Sequence, residues 1–239
     1  MSHEAQLFSL AILFYLYDSS ALLYSNEAIL TCDRTERWRA ETGWAGIVIA
    51  GRVLCMLNPF SPHRPAFRLN WDFHTLESGA TDTGWSERAR QLNALAPMTL
   101  AIGMALFVLL PLGLFTALGP YAVVPALVVL YGSTVLALSY VHRRGLLATR
   151  KRSRFVGFAF ECLACPPFAV NMARRISLAS RIAEPLPSAA VRLLDAENWG
   201  RLRAHCLSRL DDAMHLVAED STDKKLLVAQ RERLMELQP

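Results

Sequence analysis

The stretch PMTLAIGMALFVLLPLGLFTALGPYAVVPALVVLYGSTVLALSYV, residues 97–141, decides how this chain is read. No residue between Arg90 and His142 carries a formal charge, and most are Leu, Val, Ala, Phe, Ile or Met. A helix rises about 1.5 Å per residue and a bilayer core is about 30 Å thick, so one crossing takes roughly 20 apolar residues. The stretch holds two such lengths. Gly119-Pro120 divides them, because Gly favours a helix end and Pro cannot continue a helix. The pattern predicts a transmembrane helical hairpin, Met98–Leu118 and Tyr121–Val141. Pro111 and Pro125 fall inside the helices and should kink them. Gly103, Gly113, Gly132, Ser133 and Ser139 are small enough to let the helices approach, without a strict GxxxG pair.

Working outward, the C-terminal flank is basic. His142-Arg143-Arg144 is followed by Arg150-Lys151-Arg152-Ser153-Arg154, with no acid among them. Basic residues beside spans stay on the cytoplasmic side. Arg88 and Arg90 point the same way, and the turn at Leu118–Tyr121 has no charge to hinder its translocation. Both ends of the hairpin are therefore expected in the cytosol, in a bacterial-type inner membrane. The run Arg143, Arg144, Arg150, Lys151, Arg152 and Arg154 should also attract anionic lipid head groups, at about 1 kcal/mol each.

The 239 residues, 53% of them hydrophobic, suit a chain with membrane and water-exposed portions. Net charge is +4, and of the basic residues only Lys151, Lys224 and Lys225 are Lys. That bias gives no sign of a nucleic-acid surface. Five cysteines without regular spacing do not form a disulfide framework, and fit reduced thiols on a cytosolic side.

Residues 1–25 form an N-terminal apolar helix, interfacial or spanning. Leu7–Tyr17 has only Ser9 polar, and Ser19–Tyr24 extends it past Asp18. Eleven clean residues fall short of a crossing, which favours the interface. No basic region precedes them, so a cleaved signal peptide is not expected. If the segment inserts, Asp18 needs a partner; at the surface it faces water.

Residues 26–96 read as a small cytosolic antiparallel β-region and a linker. Ala66–His74 alternates Phe67, Leu69, Trp71 and Phe73 with Arg68, Asn70, Asp72 and His74, the mark of a half-buried strand. Ile47–Ile49 and Val53–Leu57 flank Ala50-Gly51-Arg52, a hairpin or bulge position. Ala28–Thr31 and Arg37–Ala40 are shorter strands, giving a sheet of three to five in all. Three prolines make Asn58–Pro65 a loop. Ser78–Ser86 is a polar linker to the hairpin, residues 97–142.

Residues 143–239 hold the basic run and a cytosolic helical region. Phe155–Cys165 is an apolar helix too short to span, and Pro166-Pro167 opens another with Phe168, Met172, Ile176 and Ala179 at helical spacing. Glu184–Pro187 breaks it. Ser188 can cap a helix to Leu194, Trp199–Val217 carries an apolar face, and Ser221 opens the last helix.

Chemistry-bearing residue types are sparse. Cys162-Leu163-Ala164-Cys165 has metal-ligand spacing, but no second pair completes four ligands, so the pair reads as packing. His63, Arg64, Asp72 and His74 are close enough in sequence to form a site, although alternate polar residues on a strand more often simply face water. There is no phosphate loop, nucleophile elbow or His-Glu-x-x-His pair. No metal or cofactor is expected.

The chain thus reads as an α+β integral membrane protein. Its expected role is that of a non-catalytic scaffold or complex subunit whose hairpin anchors a cytosolic interaction platform. The expected partners are lipids and another protein or a second copy, with Leu227, Leu234 and Leu237 of the last helix as the contact stripe. The alternative is a membrane-bound enzyme acting on a lipid-linked or small substrate through His63, Arg64, Asp72 and His74.

Overall fold

The computed structural model describes residues 3–43, 47–71, 84–147, 152–180, 184–217 and 221–237. The protein is α+β, with two apolar helices long enough to cross a membrane and small antiparallel sheets. The chain divides into two compact units. Unit 1 takes Met1–Ala21, Met56–Ala66 and Gly84–Arg181, and unit 2 takes Leu22–Cys55, Phe67–Thr83 and Ile182–Pro239.

Unit 1 is helical. It contains α1 (His3–Asp18), α2 (Trp85–Phe115), α3 (Pro120–Arg144), α4 (Arg152–Ala164), α5 (Pro166–Val170) and α6 (Met172–Leu178). Helices α2 and α3 are the expected hairpin, and both outrun the uncharged stretch. Helix α2 starts at Trp85 because Trp85, Ala89 and Leu92 recur at helical spacing and are buried. The kink expected at Pro111 takes the form of a π-helical turn, Ala105–Leu109, after which the Leu110 N–H reaches back to the Ala105 carbonyl. Pro111 has no N–H for the Phe107 carbonyl and its ring would crowd that oxygen, so the turn opens instead.

At the hairpin's far end Gly119 has φ +44°, a conformation that favours glycine. Gly113 marks the close approach of the two helices. A Cβ there would lie 2.6 Å from the Val123 Cγ2 and 2.8 Å from its backbone nitrogen. Gly103 instead faces Val170, and Gly132 faces open space. Helix α3 ends at Gly145, whose left-handed turn lets the Leu146 N–H bond the Val141 carbonyl.

The N-terminal apolar stretch is divided between two structures. Helix α1 stops at Asp18, and residues from Ser20 turn into a strand. Helix α1 runs antiparallel along α2: Phe8 meets Phe115 at 6.2 Å and Tyr15 meets Phe107 at 5.0 Å between ring centroids. The regular spacing from Phe168 to Ala179 is interrupted at Asn171, which separates α5 from α6.

Among the described residues the strands are β1 (Ser20–Leu23), β2 (Glu27–Cys32), β3 (Trp38–Glu41), β4 (Val48–Ile49), β5 (Arg52–Met56) and β6 (Ala66–Asn70). They form two three-stranded sheets, β1-β5-β4 and β3-β2-β6, where one sheet was expected. Strand β2 is central, so Ala28, Ile29 and Leu30 are all fully buried. Antiparallel pairing sets Ile29 against Glu41 and Cys32 against Trp38. The alternation in β6 holds as far as it is described: Phe67, Leu69 and Trp71 are buried, Asn70 exposed. Residues from Asp72, with the linker from Ser78 to Thr83, lie outside the described residues.

In unit 2 α7 (Leu186–Leu193) packs on β2, and α8 (Ala196–Leu216) on β3. Helix α7 begins at Leu186 rather than at Ser188, since Pro187 is tolerated in a first turn. Asp195 caps α8 by accepting a bond from the Asn198 N–H at 2.8 Å, which holds its carboxyl below the usual range. Ser221 caps α9 (Thr222–Glu236) as expected, accepting from the Lys224 N–H at 3.1 Å.

Candidate functional site

A polar cluster in unit 1 gathers at the end of α1 opposite the hairpin turn. Helix α1 supplies Tyr15 and Asp18, α4 supplies Glu161, and Asn171, Arg174 and Arg175 come from the junction of α5 and α6. Asn171 is fully buried, and its side-chain amide donates to the Ser19 hydroxyl at 3.0 Å and to the Tyr15 carbonyl at 3.4 Å. The break between α5 and α6 thus carries a side chain that ties two segments together.

Arg174 is 2% exposed. Among the described residues no carboxylate pairs with it. Its guanidinium donates instead to the carbonyls of Asn58 and of Ser61, the latter at 2.7 Å. Burial lowers its pKa to about 10, so it stays protonated at neutral pH. The Tyr15 hydroxyl donates to the Pro59 carbonyl, and the Ser177 hydroxyl accepts from the Ala66 N–H at 2.8 Å. The proline-rich loop expected from the sequence is an ordered segment held at three points.

Arg175 bridges two acids. It pairs with Glu161 and lies 3.5 Å from Asp18, while its guanidinium stacks 4.4 Å from the Phe168 ring. The Asp18 side chain is only 13% exposed, so it does not face water as a surface residue would. Arg174 and Arg175 balance Asp18 and Glu161 in formal charge. The cluster is a neutral lock between α1, α4 and the α5–α6 corner.

Cys162 is buried in the last turn of α4, and Cys165 is the residue immediately before α5. Burial pushes the Cys162 thiol up to about 12 and raises Cys165 as well. Metal binding and disulfide exchange use the thiolate, which neither residue supplies readily at neutral pH. No group of three or more His, Cys, Asp or Glu suited to a metal ion occurs among the described residues.

His63 and Arg64 are half-buried in the loop before β6, while Asp72 and His74 lie outside the described residues. Arg143 and Arg144 are exposed at the end of α3 and Arg154 on α4; Arg152 opens α4, and Arg150 and Lys151 lie outside the described residues. In unit 2, α9 packs back on α8, with Leu234 fully buried and Leu227 and Leu237 half-buried. Arg231 pairs with Asp211 at 2.9 Å across the two helices. Leu226, Val228 and Met235 remain exposed on α9.

Unit 2 also holds an open cavity of about 340 Å³ that the sequence did not announce. His205, Ser208, Arg209 and Asp212 line it from α8, facing Ser25 and Val53. Burial, with the Arg209 charge second, lowers the His205 pKa, so its ring is neutral at physiological pH. The helical spacing of 205, 208, 209 and 212 was visible in sequence, but nothing marked the opposing wall.

Comparison with protein families, with curated proteins and with solved structures finds no match.

Proposed function

We propose that this chain is a non-catalytic integral membrane protein whose helical hairpin anchors a protein-interaction platform at the cytosolic face. The observation that carries the reading is where the apolar surface lies. Only 28% of the apolar core of α2 and of α3 is buried within the protein. A core helix of a water-soluble protein would bury most of it. Here Met104, Val124, Val128, Val135 and Leu136 are all exposed, and a bilayer covers such a surface at no cost in ordered water. Pro120 and Gly119 make a tight, uncharged turn, while His142, Arg143 and Arg144 end the second helix. By the positive-inside tendency that basic end stays in the cytosol of a bacterial-type inner membrane.

The platform in this reading is unit 2. Leu227, Leu234 and Leu237 brace α9 on α8, and the exposed Leu226, Val228 and Met235 are offered to another protein or a second copy. Reporter fusions after residue 80 and after residue 160 are expected to read cytosol, and one at Gly119 the far side. A far-side signal at residue 160 overturns the orientation. The pair Val228→Asp and Met235→Asp is expected to release the partner, or dissolve the oligomer, in mild detergent without loss of insertion. Unchanged size and unchanged copurification defeat the platform reading and leave only the anchor.

A further inference from the structure

We infer that α1 is a third membrane-embedded helix, which places the N-terminus on the same face as the hairpin turn. This rests on the reading that α2 and α3 cross a bilayer. Helix α1 has 16 residues, or about 24 Å, short of the usual crossing length. Length alone favours the interface and leaves a crossing open. Three observations point the other way.

The first is direction. Phe8 and Tyr15 are about two turns apart on α1, and they meet Phe115 and Phe107, about two turns apart on α2. Helix α1 therefore lies antiparallel along the distal half of α2, and its start reaches the level of the turn. A helix lying flat on the surface would cross α2 and touch it at one level only.

The second is the lack of a polar face. An interfacial helix keeps charged residues on one side and apolar residues on the other. From Leu7 to Tyr17 the one polar side chain other than tyrosine is Ser9, whose hydroxyl is satisfied by the Ala5 carbonyl at 2.8 Å. The side turned away from α2 exposes Leu7 at 68%, Leu13 at 63% and Tyr17 at 74%. On α2, Met104 and Val108 are likewise apolar and exposed. Lipid acyl chains are the occupant that fits a helix apolar on all sides beside a spanning helix.

The third is the fate of charge. Asp18 terminates the helix and meets Arg175, and the pair removes the main electrostatic obstacle to embedding this end. His3 and Glu4 fall at the opposite end, level with the turn. The shortfall of about 6 Å is of the size that local bilayer thinning accommodates.

The test uses the full-length chain in right-side-out and inverted membrane vesicles, labelled with a membrane-impermeant maleimide. Single cysteines are introduced as His3→Cys, Leu118→Cys and Ser153→Cys, with the unaltered chain as the background. The expected result is His3→Cys and Leu118→Cys labelled from one side and Ser153→Cys from the other. Labelling of His3→Cys from the Ser153→Cys side, with Leu118→Cys opposite, overturns the third crossing and leaves the hairpin intact. Labelling of all three from one side overturns the hairpin itself. Protease protection of an N-terminal epitope tag gives the same discrimination without a substitution.

Discussion

Arg174 is where burial and charge conflict most sharply, and the conflict is resolved by backbone carbonyls rather than by an acid. Substituting Met should remove two charge-assisted hydrogen bonds, to the Asn58 and Ser61 carbonyls, at about 1–3 kcal/mol each. Arg174→Lys should recover only part of this, because one ammonium lacks the planar fork. Thermal unfolding in detergent distinguishes the three chains, and an Arg174→Met midpoint equal to the parent's would show that the loop does not depend on this contact. A smaller misfit sits in the β4–β5 turn. Ala50 and Gly51 both have positive φ, at 50° and 74°, as a two-residue hairpin turn of the primed type requires. Alanine is poorly suited to that region and asparagine tolerates it. Ala50→Asn should stabilise the turn by about 1 kcal/mol, read as slower hydrogen exchange of the Leu54 amide, which donates to the Ile47 carbonyl across the pair.

At the scale of elements the hairpin has a point of close approach at Gly113. Gly113 packs so closely on α3 that a methyl group would overlap the Val123 side chain and backbone. Gly113→Ala should therefore push the distal ends of α2 and α3 apart, at the 1–3 kcal/mol typical of overpacking. Gly132 lies on α3 with nothing near its missing side chain, so Gly132→Ala should be neutral or slightly stabilising. If the two substitutions lower the unfolding midpoint equally, the close approach is not what holds the hairpin. The π turn before Pro111 belongs to the same scale: it relieves a proline clash without ending the helix.

Across the whole molecule the buried thiols set an alkaline limit. Burial raises Cys162 and Cys206 to about 12 and Cys55 to about 11, from an ordinary value of 9. Unfolded thiols lose their protons near 9 while the folded ones keep theirs. Between about pH 9 and 12 the unfolded chain binds fewer protons, so stability present below pH 9 falls as pH rises through that window. Unfolding midpoints measured from pH 7 to 10.5 should stay level and then decline. The combined Cys→Ala variant should show a shallower decline, and an identical slope would assign it to other groups. All three thiols should also resist maleimide at pH 7 until the chain is unfolded.

Much of this architecture was written in local patterns. The uncharged stretch with Gly119-Pro120 at its middle gave the hairpin, because apolar length and a helix breaker need no tertiary context. Alternation located β6, and Ser221 located the start of α9, for the same reason. The tertiary structure alone decided where α1 gives way to β1, why the helical spacing breaks at Asn171, and what meets Asp18. Those outcomes rest on contacts between residues more than 100 positions apart: Asn171 with Ser19, Ala66 with Ser177, and Arg175 with Asp18. A sequence shows a polar group's need for a partner when it is buried, but the partner itself is chosen only when distant segments close around it.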